Sequence, residues 1–141
     1  MRLECRPPTD PNAAIPLLKR LRIDLPDEVL ADRFAAAQAD GYRLLAAHHG
    51  TTIVGVLGYV VNETLHWGRT LFVDDLIVDA DQRGRGIGAA LITAARDHGI
   101  AQGCDHLRLC SGLNRHDAHR FYEMRGMRRS SYQFILPLKE T

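Results

Sequence analysis

Arg83-Gly84-Arg85-Gly86-Ile87-Gly88 carries the strongest chemical signal in the chain. Glycines at alternate positions leave backbone N–H groups open to a ligand and permit positive φ. Arginines stand among them. A helical pattern follows, with Ile87, Leu91, Ala94 and Ala95 on one face. Loop N–H groups that lead into a helix N-terminus beside cations form an anion site, and phosphate or pyrophosphate suits it. Upstream stand two adjacent carboxylates, Asp74 and Asp75, ahead of the apolar run Leu76-Ile77-Val78. Neighbours on a regular strand point to opposite faces. The spacing therefore predicts that at most one of the two carboxylates faces any one site. Such a carboxylate can hold a cation and take its proton, or it can simply bond a nearby loop.

Competing phosphate-binding patterns differ in what must surround the glycines. A Walker A loop ends in G-K-[ST], which is absent. Gly84-Arg85-Gly86-Ile87-Gly88-Ala89 matches the dinucleotide pattern G-x-G-x-x-A, and Asp105 falls about 20 residues on, where that pattern wants an acid. The context disagrees. That fingerprint follows its strand almost directly, whereas here Asp79 to Arg83 intervene. Its acid ends a second strand, whereas Asp105 precedes the run Leu107-Arg108-Leu109.

The pattern Q/R-x-x-G-x-G/A, met from Arg83 to Gly88 beyond a strand end, resembles the acetyl-coenzyme A loop of the GNAT acetyltransferase superfamily. Ala118-His119-Arg120-Phe121-Tyr122-Glu123-Met124-Arg125-Gly126 is similar to that family's A-x-x-FY-x-x-x-G helix, so the resemblance runs from about Val73 to Met127. It implies an N-acetyltransferase that moves an acetyl group from acetyl-CoA to an amine by direct attack, without a metal. Main-chain groups of Leu76, Ile77 and Val78 would pair with the pantetheine arm, and the Val78 N–H would face the oxyanion. The backbone of Arg83, Gly84, Arg85, Gly86, Ile87 and Gly88 would hold the pyrophosphate. Tyr122 would donate its hydroxyl to the leaving sulfur. Asn114 would reach the pantetheine arm, although the family's asparagine stands seven residues before the tyrosine and that position here is Arg115. The run Val73-Asp74-Asp75-Leu76-Ile77-Val78 also looks like polyamine acetyltransferases, whose paired acids bind the cationic acceptor and help deprotonate it. Glu63 and His66 are weaker acid–base candidates. The same loop would also serve a non-catalytic acetyl-CoA sensor, which would not depend on Tyr122, Asp74 or Asp75.

The elements that must position these groups follow from periodicity and punctuation. Arg2–Arg6 reads as an edge strand. A helix capped by Thr9 or Asp10, with Pro11 just inside, runs to Pro26. A second helix covers Asp27–Ala39, with Val29, Leu30, Phe34 and Ala37 inward, and Gly41 stops it. Tyr42–Ala47 and Thr52–Val61 form a hairpin, and Gly55 and Gly58 mark a bulge or a close approach. Asn62–Gly68 connects to the strand Arg69–Val78. After the loop and its helix come a strand at His106–Cys110, a helix at Arg115–Arg125 and strand material at Met127–Leu138. This order predicts an α+β fold: a GNAT-like mixed sheet with an antiparallel meander, a splayed parallel pair and flanking helices. The acceptor pocket is expected between the first two helices and the Asn62–Gly68 connection.

Bulk properties narrow the partners. The 141 residues suit a single domain, and 45% hydrophobic with 25% charged residues is an ordinary globular composition. A net charge of +1 gives no field for nucleic acid or a membrane surface. Three cysteines (Cys5, Cys104, Cys110) lack metal-type spacing, and their odd count argues against a disulfide framework. No signal peptide or spanning segment is evident, so a cytoplasmic protein is expected. The expected acceptor is a small or peptidic cationic amine. The family resemblance also admits a homodimer.

Overall fold

The computed structural model describes residues 2–139. One compact unit runs to Leu109, and a second begins at Cys110. The first holds a five-stranded sheet of order β1-β2-β3-β4-β5: β1 (Leu3–Arg6), β2 (Arg43–His49), β3 (Thr52–Thr64), β4 (Gly68–Val78) and β5 (His106–Leu109). Neighbours are antiparallel from β1 to β4, and β4 with β5 is parallel. The parallel connection is α3 (Ile87–Ala101), whose length suits such a crossover.

Helices cover both faces of the sheet. On one, α1 (Ile15–Leu21) and α2 (Asp27–Ala39) bury Leu17, Leu18 and Phe34 with Tyr42, Leu44 and Val56. On the other, Ile87 and Leu91 of α3 approach so closely that a Cβ on Gly55 would lie 2.9 and 3.0 Å from them. Gly55 adjoins an irregularity at Ala47/His48, and Gly58 adjoins another at Gly58/Tyr59. Both expectations for these glycines, bulge and close approach, are therefore met.

Two expected elements differ. The first helix is split: Pro11–Ala14 is a turn of 3-10 helix whose capping Asp10 accepts from the Asn12 N–H at 3.0 Å, and α1 stops at Leu21. Arg22, with φ −113° and ψ 55°, leaves the helix. The second unit contains α4 (His116–Glu123) and, among the described residues, no strand. Met127–Leu138 was expected to be strand, but Tyr132, Phe134, Ile135, Leu136 and Leu138 are exposed there. Ile135 interrupts the apolar/polar alternation. An isolated extended run also gains nothing from hydrogen bonds it could make equally well to water.

Candidate active site

The site is built on an irregularity in β4. Gly58 pairs with Asp75, and Tyr59 pairs with Val73, so Asp74 is an extra residue with no partner on β3. A β-bulge of this kind breaks the alternation of side chains and re-aims them. Asp74 and Asp75 consequently line the same cavity, of about 230 Å³. The expectation that only one of them could face a given site rests on an unbroken strand and does not hold.

That cavity lies against α1 and α2. Leu18, Leu30, Phe34 and Ala37 form its apolar wall, and Arg22, Arg33, Tyr42, Asp74 and Asp75 supply its polar groups. The Asn62–Gly68 connection takes no part. It is a tight hairpin in which Thr64 Oγ1 accepts from the Trp67 N–H at 3.0 Å and donates to the Gly68 carbonyl at 3.0 Å. Glu63 pairs there with Arg69 at 2.8 Å, and His66 packs edge-on to Trp67.

Asp75 is held from two sides. Arg22 donates to Oδ1 from Nη2 at 2.6 Å and from Nε at 3.2 Å, and Tyr42 donates to Oδ2 at 2.7 Å. Arg22 also donates to the Asp74 carbonyl at 3.2 Å. Tyr42 reaches this position because α2 ends in a turn closed by Gly41 (φ 101°). The Tyr42 N–H bonds the Ala37 carbonyl at 2.9 Å and the Gly41 N–H bonds the Gln38 carbonyl at 3.3 Å. Gly58 makes room for the phenol, since a Cβ there would come within 1.7 Å of the Tyr42 oxygen. Burial, and then the charge of Asp75, push the Tyr42 hydroxyl far above its usual range, so it remains a donor.

Asp74 has no such partner for its carboxylate among the described residues. It is solvent-exposed, yet its pKa is raised, first by desolvation and then by the charge of Asp75, against an opposing pull from Arg22. Arg33 likewise has no ion partner among the described residues. No local motif in the sequence marks Arg22 or Tyr42 as part of a site. Arg33 did carry a signal, because it shares the helical stripe of Leu30, Phe34 and Ala37.

Beyond the bulge, β4 stays paired to β3 through Leu76, Ile77 and Val78. Its pairing with β5 ends at Val73 with Leu109, so residues 74–78 present a free backbone edge on that side among the described residues. After Val78 the chain turns through Ala80–Gln82, where Asp79 Oδ1 accepts from the Asp81 N–H at 3.1 Å. Gly84 (φ 81°) and Gly86 (φ 76°) then set the loop, with open space where a Cβ would stand. Gly86 is the N-cap of α3, and no side chain caps that helix. Its first N–H groups are therefore left for a ligand. Arg83 and Arg85 are exposed, and Arg85 donates to Gln82 at 3.1 Å. The side chain of Ile87 is buried in the core, so any part it takes in the loop is through its backbone.

Asp105 is structural. Its Oδ2 accepts from the Arg69 N–H at 3.0 Å and its own N–H bonds the Arg69 carbonyl at 2.7 Å, which ties β5 to β4. This removes the acid that a dinucleotide fingerprint requires. In the second unit, Tyr122 on α4 is half-buried. Desolvation raises its pKa, and Arg115 opposes the shift. Asn114 is exposed just before that helix. Among the described residues, no group of three or more His, Cys, Asp or Glu is placed to hold a metal.

Residues 12–127 match the acetyltransferase (GNAT) family model. The chain is 34% identical over 125 residues to the uncharacterized N-acetyltransferase YhdJ of Bacillus subtilis, covering 87% of this chain and 88% of that one. It is 30% identical over 122 residues to the aminoalkylphosphonate N-acetyltransferase of Salmonella typhimurium, covering 84% and 78%. Its fold is like that of AAC(6')-Iy, solved with the bisubstrate analog CoA-S-monomethyl-acetylneamine, with a TM-score of 0.84 over 99% of each chain at 16% identity. The parting of β4 from β5 beside a glycine loop agrees with these sequence matches, and the chain belongs to the acetyltransferase (GNAT) family as an N-acetyltransferase.

Proposed function

We propose that this enzyme transfers the acetyl group of acetyl-CoA directly to a small primary amine seated in the Asp74–Asp75 cavity. One observation supports the reading: Asp74, unpaired at the bulge, and Asp75 both line one cavity at the end of β4 that has parted from β5. The aminoalkylphosphonate acetyltransferase named above acts on a small amine, which supports an acceptor of that size. At about 230 Å³ the cavity is below the roughly 300–1,000 Å³ of pockets that take drug-sized ligands.

The donor is held by main chain. The backbone of Arg83 to Gly88 binds the pyrophosphate, and Arg83 and Arg85 add positive charge nearby. Leu76, Ile77 and Val78 pair with the pantetheine amides as an added strand would. Asn114 contacts the same arm. No metal is involved.

The reaction begins with a proton problem. An alkylammonium with pKa ~10.4 must lose its proton before it attacks, a deficit of about 4–5 kcal/mol at pH 7. Asp75 already accepts bonds on both oxygens, so it serves as a fixed negative charge that holds the ammonium. Asp74 has its carboxylate free, and its raised pKa makes it the better acceptor of the proton, directly or through water. The amine lone pair then forms the C–N bond at the thioester carbonyl, and the Val78 N–H stabilises the oxyanion. As the C–S bond breaks, the Tyr122 hydroxyl bonds the departing sulfur. A phenol of pKa ~10 is a weaker acid than a thiol of ~8.5, so full transfer is uphill by about 2 kcal/mol, and the raised pKa of Tyr122 adds to that. Tyr122 therefore acts through a hydrogen bond that strengthens as charge develops.

The test compares Asp74→Asn with Asp75→Asn at saturating acetyl-CoA. Asp74→Asn is expected to lower kcat by about 10²–10⁴, the range for one general base. Asp75→Asn is expected to act mainly on the KM of the amine. Wild-type kcat in Asp74→Asn, with coenzyme A affinity intact, would remove Asp74 from the chemistry.

A further inference from the structure

The cavity holds two cations as well as two anions, and they are not all spent on each other. Arg22 is bound to Asp75, and that pair is further fixed by Tyr42. Asp74 and Arg33 are left over, one anion and one cation lining the same space without an ion partner among the described residues. Leu30 and Phe34 line the same space. Arg33 follows Leu30 by three residues and precedes Phe34 by one on α2, so its exposed side chain lines the cavity beside them. A guanidinium there binds an oxyanion through charge-assisted, geometrically matched hydrogen bonds.

We infer that the acceptor is a small zwitterion, an amine on an alkyl spacer that ends in an anionic group, and that Arg33 is the residue that selects it. The amine goes to the Asp74–Asp75 pair, the spacer lies on Leu30 and Phe34, and a phosphonate, phosphate or carboxylate meets Arg33. A polyamine satisfies Asp74 equally well but brings a second cation toward Arg33, and like charges brought together across a binding site are disfavoured. This narrows the expected cationic acceptor to one with no net positive charge, and it rests on the acetyl-transfer reading given above.

The experiment measures kcat/KM on the full chain with amines of one spacer length: a phosphonate-terminated amine, a carboxylate-terminated amine, the plain alkylamine and the diamine. The wild type is expected to favour an anion-bearing amine over the plain one by about ten- to a hundredfold, the usual worth of a hydrogen bond to a charged group. Comparison of the two anion-bearing amines identifies which anion is read. Arg33→Met is expected to bring the ratio of anionic to plain amine close to one, and Arg33→Glu to make the diamine the preferred member. Arg33 is exposed, so both variants should fold, and matched circular dichroism and Tm would check this. A wild type that prefers the plain amine or the diamine overturns the inference, as does an unchanged ratio in Arg33→Met. Turnover of no amine at all would instead overturn the acetyl-transfer reading on which it rests.

Discussion

Asp74 and Asp75 are chemically identical and adjacent, yet their surroundings differ. Arg22 and Tyr42 fix Asp75, while Asp74 is left free with a raised pKa. That shift fixes the sign of a stability effect. A carboxyl with a higher pKa folded than unfolded binds more protons in the native state, so stability falls as pH rises from the ordinary ~3.9 through the raised value. Above it, the native carboxylate is a burden. Asp74→Asn should therefore raise Tm at pH 7, and the gain should vanish in acid below the unfolded pKa; thermal melts across pH check this. The same titration should give wild-type kcat an acid limb that the variant lacks. For Tyr122, the Phe substitution keeps the ring and deletes the hydroxyl. If that hydroxyl bonds the leaving sulfur, turnover should fall by roughly ten- to a thousandfold, about 1.4–4 kcal/mol, with coenzyme A affinity nearly constant. Donors with better leaving groups should recover part of the rate. Wild-type turnover with a lowered Tm would make the hydroxyl structural.

At the scale of elements, two irregularities shape the candidate site: the bulge in β4 and the glycine loop before α3. Gly58 stands opposite the bulge and beneath the Tyr42 phenol. Gly58→Ala must displace that ring, so it should destabilise the fold by about 1–3 kcal/mol in denaturant unfolding and weaken the hold on Asp75. In the loop, Gly86→Ala meets no neighbour but must adopt positive φ, a strain of about 1–2 kcal/mol. Gly86→Glu adds a negative side chain where the pyrophosphate would lie, and calorimetry should show no coenzyme A binding. Binding at wild-type affinity would mean that the loop is not the cradle.

These elements also show what could be read from residues alone. The meander, the crossover helix and the loop were legible because period and glycine punctuation are local signals. The shared cavity of Asp74 and Asp75 was not, because the bulge exists only in the register between β3 and β4. Tyr42 read as the first residue of a strand; its role depends on Asp75, distant in sequence, and on the space left by Gly58. Arg22 falls inside the predicted first helix, which in fact ends one residue earlier. The alternation of Tyr132, Phe134 and Leu136 suggests a closing strand, but periodicity does not supply a pairing partner, and that segment is exposed.

For the molecule as a whole, no helix of the described residues is long and apolar enough to cross a membrane, and a net charge of +1 offers no broad field to a polyanion. The chain is an N-acetyltransferase of the GNAT family, and its proposed acceptor is a small amine. Its central claim is that acetyl-CoA is consumed only when a suitable small amine is present. The direct measurement is thiol release from acetyl-CoA by the wild-type chain across the amine panel, with the acetylated amine identified by mass. The account predicts release that depends on the amine, saturates with it and yields one acetylated product for each thiol. Tight coenzyme A binding with no amine-dependent release across the panel would contradict it and would describe a sensor instead.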